Sequence, residues 1–118
     1  MTIKVYQYPR CSTCVKAIKF LDQRNITYRS IDITKQPPSK IELRKMLGYV
    51  NGEVKRLFNT SGQVYRELGL STKLGSMKPQ DAVDLLARNG KLVKRPFVLT
   101  ETTGVIGFNE KQWEAALK

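Results

Sequence analysis

The feature that most constrains the fold is a change of hydrophobic period at Pro9–Arg10. Before it, residues 3–8 (IKVYQY) alternate apolar and polar in the two-residue rhythm of a strand. After it, Cys14, Ala17, Ile18 and Leu21 recur at three and four, with Lys16, Lys19 and Gln23 on the opposite side, as on an amphipathic helix. That helix ends near Arg24–Asn25, and ITYRSIDI (26–33) reads as a second strand. The chain therefore opens as a βαβ unit.

The remainder adds helices and then a hairpin. In PPSKIELRKMLG, Ser39 is a candidate N-cap with Glu42 three residues on, and Gly48 is the expected stop. A short apolar helix is expected around Val54–Phe58, then an N-T-S-G turn and a Tyr65–Leu70 segment. A stronger helix starts near Pro79, with Asp81 and Asp84 early, Ala82, Val83, Leu85 and Leu86 inward, and Arg88 before Gly90. RPFVLT (95–100) and TTGVIGF (102–108) form a hairpin across a Gly turn, and Asn109 caps a last helix carrying Trp113, Ala116 and Leu117. The expected architecture is a single α/β domain over residues 1–118, with a small mixed sheet and a helical region at about 37–90.

The first residues lack the basic and long apolar regions of a signal peptide, and no run approaches a membrane-spanning length of about 18 residues. The expected location is the cytoplasm, with no membrane partner. The net charge of +11 invites a nucleic-acid role, but it is spread as a gradient. Residues 1–40 carry +6, residues 41–80 carry +4 and residues 81–118 carry +1. With no dense basic arm, the reading is a solvated basic surface that raises encounter rates with acidic species, without direct nucleic-acid binding.

Cys11 and Cys14 are the only cysteines, three apart at the strand-to-helix junction. A zinc site wants four Cys, His or carboxylate ligands, and a chain with no histidine and no third cysteine is a poor source of them. Buried structural cysteines are the plain alternative. Position argues otherwise for Cys11, because a sulfur there faces the unpaired N–H groups and positive dipole end of a helix, which favour thiolate. The backbone N–H groups of Ser12 and Thr13 and the charges of Arg10 and Lys16 push the same way. Residues i and i+3 at a helix start stand about 5–6 Å apart at Cβ, a modest adjustment from disulfide geometry. Cys14 lies on the inward face, so Cys11 reads as the attacking thiol and Cys14 as the resolving one.

Arg95–Pro96 leaves two readings open. Pro96 simply begins a strand, or an X-Pro bond in the cis form turns the chain beside the cysteine loop and lets Arg95 stabilise a thiolate or an oxyanion on sulfur.

The segments Y-x-x-P-x-C-x-x-C-x-K-A, PPSKIEL, LFNTSGxxYRELGL, KRPFVLT and GFNEKQWE, in this order, resemble the arsenate reductase (ArsC)/Spx family. The resemblance implies a thioredoxin-like fold with an inserted helical region, with Pro96 as its cis-proline and Cys11, Cys14 and Arg95 as site residues. The expected protein is a monomer with no bound cofactor, re-reduced by a glutaredoxin, a thioredoxin or a low-molecular-weight thiol. Arsenate reductases of this family carry C-x-x-S and hold the oxyanion with two further arginines. Those positions fall on Asn59 and near Gly107–Phe108 here. Each charge-assisted contact is worth roughly 1.5–3 kcal/mol, so the resemblance implies a thiol-redox protein with weak or no arsenate activity. Spx-type regulators share C-x-x-C, Arg-Pro and the G-F-N-E run. They imply the alternative: a redox switch that docks on the C-terminal domain of the RNA polymerase α subunit, with Gly52 near the contact.

Overall fold

The computed structural model describes residues 3–117; residues 1, 2 and 118, which the single-domain expectation includes, lie outside the described residues. Among the described residues four short strands, β1 (Lys4–Gln7), β2 (Arg29–Asp32), β3 (Phe97–Leu99) and β4 (Gly104–Ile106), form one sheet in the order β2–β1–β3–β4. β1 runs parallel to β2 and antiparallel to β3, and β3 runs antiparallel to β4, so the sheet is mixed as expected. The second strand is shorter than ITYRSIDI suggests, because Ile26–Tyr28 approach the sheet as a connection and ladder pairing begins at Arg29.

The described residues also form helices α1 (Ser12–Gln23), α2 (Lys40–Tyr49), α3 (Gln63–Glu67), α4 (Leu70–Lys73), α5 (Pro79–Arg88) and α6 (Glu110–Ala116). Short 3₁₀ turns at Val54–Leu57, Leu74–Ser76 and Gly90–Leu92 join the helices between β2 and β3. Strand alternation divides the interior into two cores. Val5, Val98 and Val105 meet Ala17, Phe20, Leu21 and Trp113 on the face covered by α1 and α6. Tyr6, Phe97, Leu99 and Ile106 meet Leu43, Met46, Val83 and Leu86 on the face covered by α2 and α5. Because β3 is covered on both sides, all three of its residues are apolar and buried.

Three sequence expectations are adjusted by packing. Gly48 lies inside α2, which runs on to Tyr49; the chain turns instead at Asn51 and Gly52, whose φ values of 60° and 76° are left-handed. On α1, Phe20 takes a buried place that the periodicity did not assign to it, while Ile18 is only half-buried. Leu85 of α5 is likewise half-buried, beside the buried Ala82, Val83 and Leu86. At Gly90 the reason for glycine is contact: a Cβ there would lie 1.8 Å from the Ile33 carbonyl oxygen at the end of β2.

A polar network ties α2 to the central strand. Ser39 and Glu42 form a reciprocal capping box, and the Tyr6 hydroxyl donates to Glu42 Oε1 at 2.7 Å while Lys4 Nζ lies 3.1 Å from Oε2. Burial raises the Glu42 carboxyl, but the Ser39 N–H, the Tyr6 hydroxyl and Lys4 outweigh it and hold the group below its ordinary 4.5. A depressed carboxylate stabilises the fold above its unfolded-state pKa, and that stability is lost as pH falls through the folded value. Glu42→Ala also strands the buried Tyr6 hydroxyl, at a cost of about 1–3 kcal/mol. Urea unfolding at pH 7 should show that loss, with a smaller one for Glu42→Gln; the difference between wild type and Glu42→Ala should shrink at acid pH.

Candidate active site

The β1–α1 junction builds the site. The Cys11 N–H donates to the Tyr8 carbonyl at 3.0 Å, closing a turn that makes Cys11 the N-cap of α1. Its backbone is extended (φ −90°, ψ 121°) and its side chain makes no capping hydrogen bond, so the sulfur stays available where the first helix amides are unpaired. No acidic residue occupies the first turn of α1. Cys14, one turn on, is fully buried, and its Sγ accepts a hydrogen bond from the Tyr8 N–H at 3.5 Å. Both cysteines are free thiols.

The two sulfurs are driven apart electrostatically. Burial raises the Cys11 thiol, but the Cys14 backbone N–H and side chain, the Thr13 N–H and Arg95 outweigh it and hold Cys11 below its ordinary value. Burial dominates at Cys14; with the neighbouring Cys11 adding to it against the Tyr8 N–H, that thiol is pushed up to about 12. Cys11 therefore loses its proton first. The expected help from Arg10 and Lys16 is not what the geometry supplies: both side chains are exposed, and the guanidinium that acts on the sulfur is Arg95. Of the two amides expected to take part, Thr13 does so, with Cys14 in place of Ser12.

The Arg95–Pro96 bond is cis, and β3 begins directly after it at Phe97. Pro96 is buried, and its carbonyl accepts the Gly107 N–H at 2.9 Å. Arg95 shares a cleft of about 420 Å³ with Cys11, and its guanidinium lies over the Tyr8 ring, 5.2 Å from the centroid. Arg95 Nη1 is buried without a hydrogen-bond partner among the described residues, an unanswered donor on a side chain that shares the cleft with Cys11. All four expected site residues, Cys11, Cys14, Arg95 and Pro96, thus meet at one place.

Asn59, Gly107 and Phe108 line the same cleft, so the positions where the resemblance calls for further arginines do face the site and carry no charge. Phe108 instead packs edge-on against Trp113 at 5.0 Å and Phe20 at 5.7 Å. Two participants escaped the sequence reading. Tyr8 holds the backbone of Cys11 and the sulfur of Cys14 and lies under the Arg95 guanidinium, and its place directly before Pro9 was the available signal. Lys94 also lines the cleft, so among the described residues Lys94 and Arg95 are its cations and no carboxylate lines it. A Cβ on Gly107 would sit 3.0 Å from Lys94 Cε, which shows how closely the lysine stem crosses that glycine.

A mixed sheet with α1 and α6 on one face, a C-x-x-C at the start of α1 and a cis-proline entering β3 define a thioredoxin-like protein. The ArsC family pattern matches residues 6–116, and the chain belongs to that family. It is 41% identical to the uncharacterized protein YusI of Bacillus subtilis over 97% of each chain. A crystal structure from Bacteroides fragilis, described as related to the ArsC family, superimposes with a TM-score of 0.92 at 46% identity, covering 98% of this chain and 97% of that one. The global transcriptional regulator Spx of Streptococcus pyogenes is 26% identical over 98% of this chain and 84% of its own.

Removing the guanidinium should raise the Cys11 titration. In Arg95→Ala, the rise in thiolate absorbance near 240 nm should move to higher pH than in wild type; an unmoved curve would remove Arg95 from the site.

Proposed function

We propose that this protein is a thiol–disulfide oxidoreductase of the ArsC family in which Cys11 attacks and Cys14 resolves. The observation that carries the reading is the unequal placing of the two thiols: Cys11 lines the cleft beside Arg95 at the start of α1, and Cys14 is fully buried one turn on. Cys11 attacks an oxidised centre, and Cys14 then displaces the product to leave a Cys11–Cys14 disulfide, which a glutaredoxin, a thioredoxin or a low-molecular-weight thiol reduces. Arg95 steadies the Cys11 thiolate, and no bound cofactor takes part. Arsenate is a poor substrate on this reading, because Asn59 and Phe108 leave the oxyanion without two charge-assisted contacts.

Iodoacetamide labelling at neutral pH, mapped by mass spectrometry, tests the roles. Cys11 should react at least about tenfold faster than Cys14, and equal rates would overturn the assignment. Under the same conditions a model disulfide should be turned over much faster than arsenate.

A second reading is favoured by the likeness to Spx over 98% of this chain and by the exposed turn at Gly52, where φ is 76°. The pair then acts as a redox switch for docking on the RNA polymerase α subunit. Binding to the isolated C-terminal domain of that subunit, measured reduced and oxidised, separates the readings: micromolar binding that changes with redox state makes the protein a regulator, and no binding in either state leaves the oxidoreductase.

A further inference from the structure

A second and larger cleft, about 560 Å³, adjoins the Cys11 cleft and shares Lys94 and Ile106 with it. Its floor is apolar, from Val54, Phe58 and Ile106, and its rim is basic. Arg56 on that rim faces Glu53 at 3.9 Å, whereas Lys55 and Lys94 make no ion pair among the described residues. Nothing in the chemistry of the cysteine pair requires this extension, since Cys11, Cys14 and Arg95 complete the redox site without it.

We infer that the two clefts form one groove, which binds an extended segment of an oxidised partner protein with its disulfide at Cys11 and an apolar and then an acidic side chain along Val54, Phe58, Lys55 and Lys94. The inference rests on the oxidoreductase reading above and names its substrate class. Continuity with the Cys11 cleft sets the register, and the unpaired lysines set the sign of the partner's charge. The wall is held rigidly: the Asn59 N–H bonds the Leu92 carbonyl at 2.7 Å and the Lys94 N–H bonds the Leu57 carbonyl at 2.8 Å. These bonds fix the 57–59 segment to the 92–94 segment, so both clefts keep one spacing.

In the reaction, Cys11 thiolate attacks one sulfur of the partner disulfide, and the other partner sulfur leaves and takes up a proton. Cys14 gives up its proton and attacks the Cys11 sulfur, which releases the second partner thiol. Two electrons pass from the cysteine pair to the partner disulfide, and an external thiol or dithiol restores the pair.

The test uses short peptides whose cysteine is joined in a mixed disulfide to a chromogenic thiol, with Leu-Asp-Glu or Leu-Lys-Lys on either side of it so that both chain directions are covered. Rates are divided by the rate with neutral 2,2′-dipyridyl disulfide, measured on the same protein. The acidic probe in one direction should be favoured over its basic counterpart by about tenfold, and Lys55→Glu should remove or reverse that preference. Equal normalised rates for acidic and basic probes would overturn the groove while leaving the oxidoreductase intact. A preference that persists in Lys55→Glu would trace to net charge and overturn it as well. A preference that varies with protein concentration would place a second copy in the cleft, and the groove would again be overturned. Failure of Cys11 to attack even the neutral disulfide would instead sink the oxidoreductase reading beneath it.

Discussion

β1 is hydrogen-bonded along both edges, in parallel to β2 and antiparallel to β3, and the rest of the molecule is arranged around that position. Its alternation sends Val5 into one core and Tyr6 into the other, so the strand is the partition between the two apolar clusters. Its C-terminal end delivers Tyr8, whose carbonyl and amide hold the backbone of Cys11 and the sulfur of Cys14. A central strand is the least mobile element in a small sheet, because both rows of its backbone groups are paired. The cysteine loop thereby inherits rigidity that a 12-residue helix alone would not give its first turn.

The unequal surroundings of the two sulfurs follow from that placement. A single turn of helix separates a half-buried sulfur from a fully buried one, and burial, amide donors and one guanidinium then act on them unequally. Arg95 reaches the site from a segment more than eighty residues away. It can do so because β3 lies next to β1, which brings the entry to β3 alongside the exit from β1.

Much of this was legible in the sequence. The period change at Pro9–Arg10 located β1, α1 and the cysteines, and Ser39 with Glu42 located the start of α2. Local chemistry determines such features, so a sequence displays them. What stayed hidden depends on tertiary neighbours. Gly48 looked like a stop, yet nothing crowds it and α2 continues past it. Phe20 is buried because Phe108 and Trp113 arrive from the far end of the chain to meet it. Lys94 gave no sign of facing Cys11, since that depends on the pairing of residues 57–59 with 92–94. The family resemblance supplied the cis-proline and the thioredoxin-like arrangement, which local patterns left open.

Gly90 does not line the cysteine cleft, yet it stands at the start of the segment that carries Lys94 and Arg95 into it. Its α-carbon lies against the Ile33 carbonyl, with no room for a methyl group, and the chain that leaves it runs through Leu92 and Lys94 to Arg95. A side chain at 90 would act as a wedge between the end of β2 and that segment, and the displacement would be passed along five residues to the guanidinium. A substitution at 90 would therefore reach the cysteine cleft by steric means alone, without altering any group that lines it.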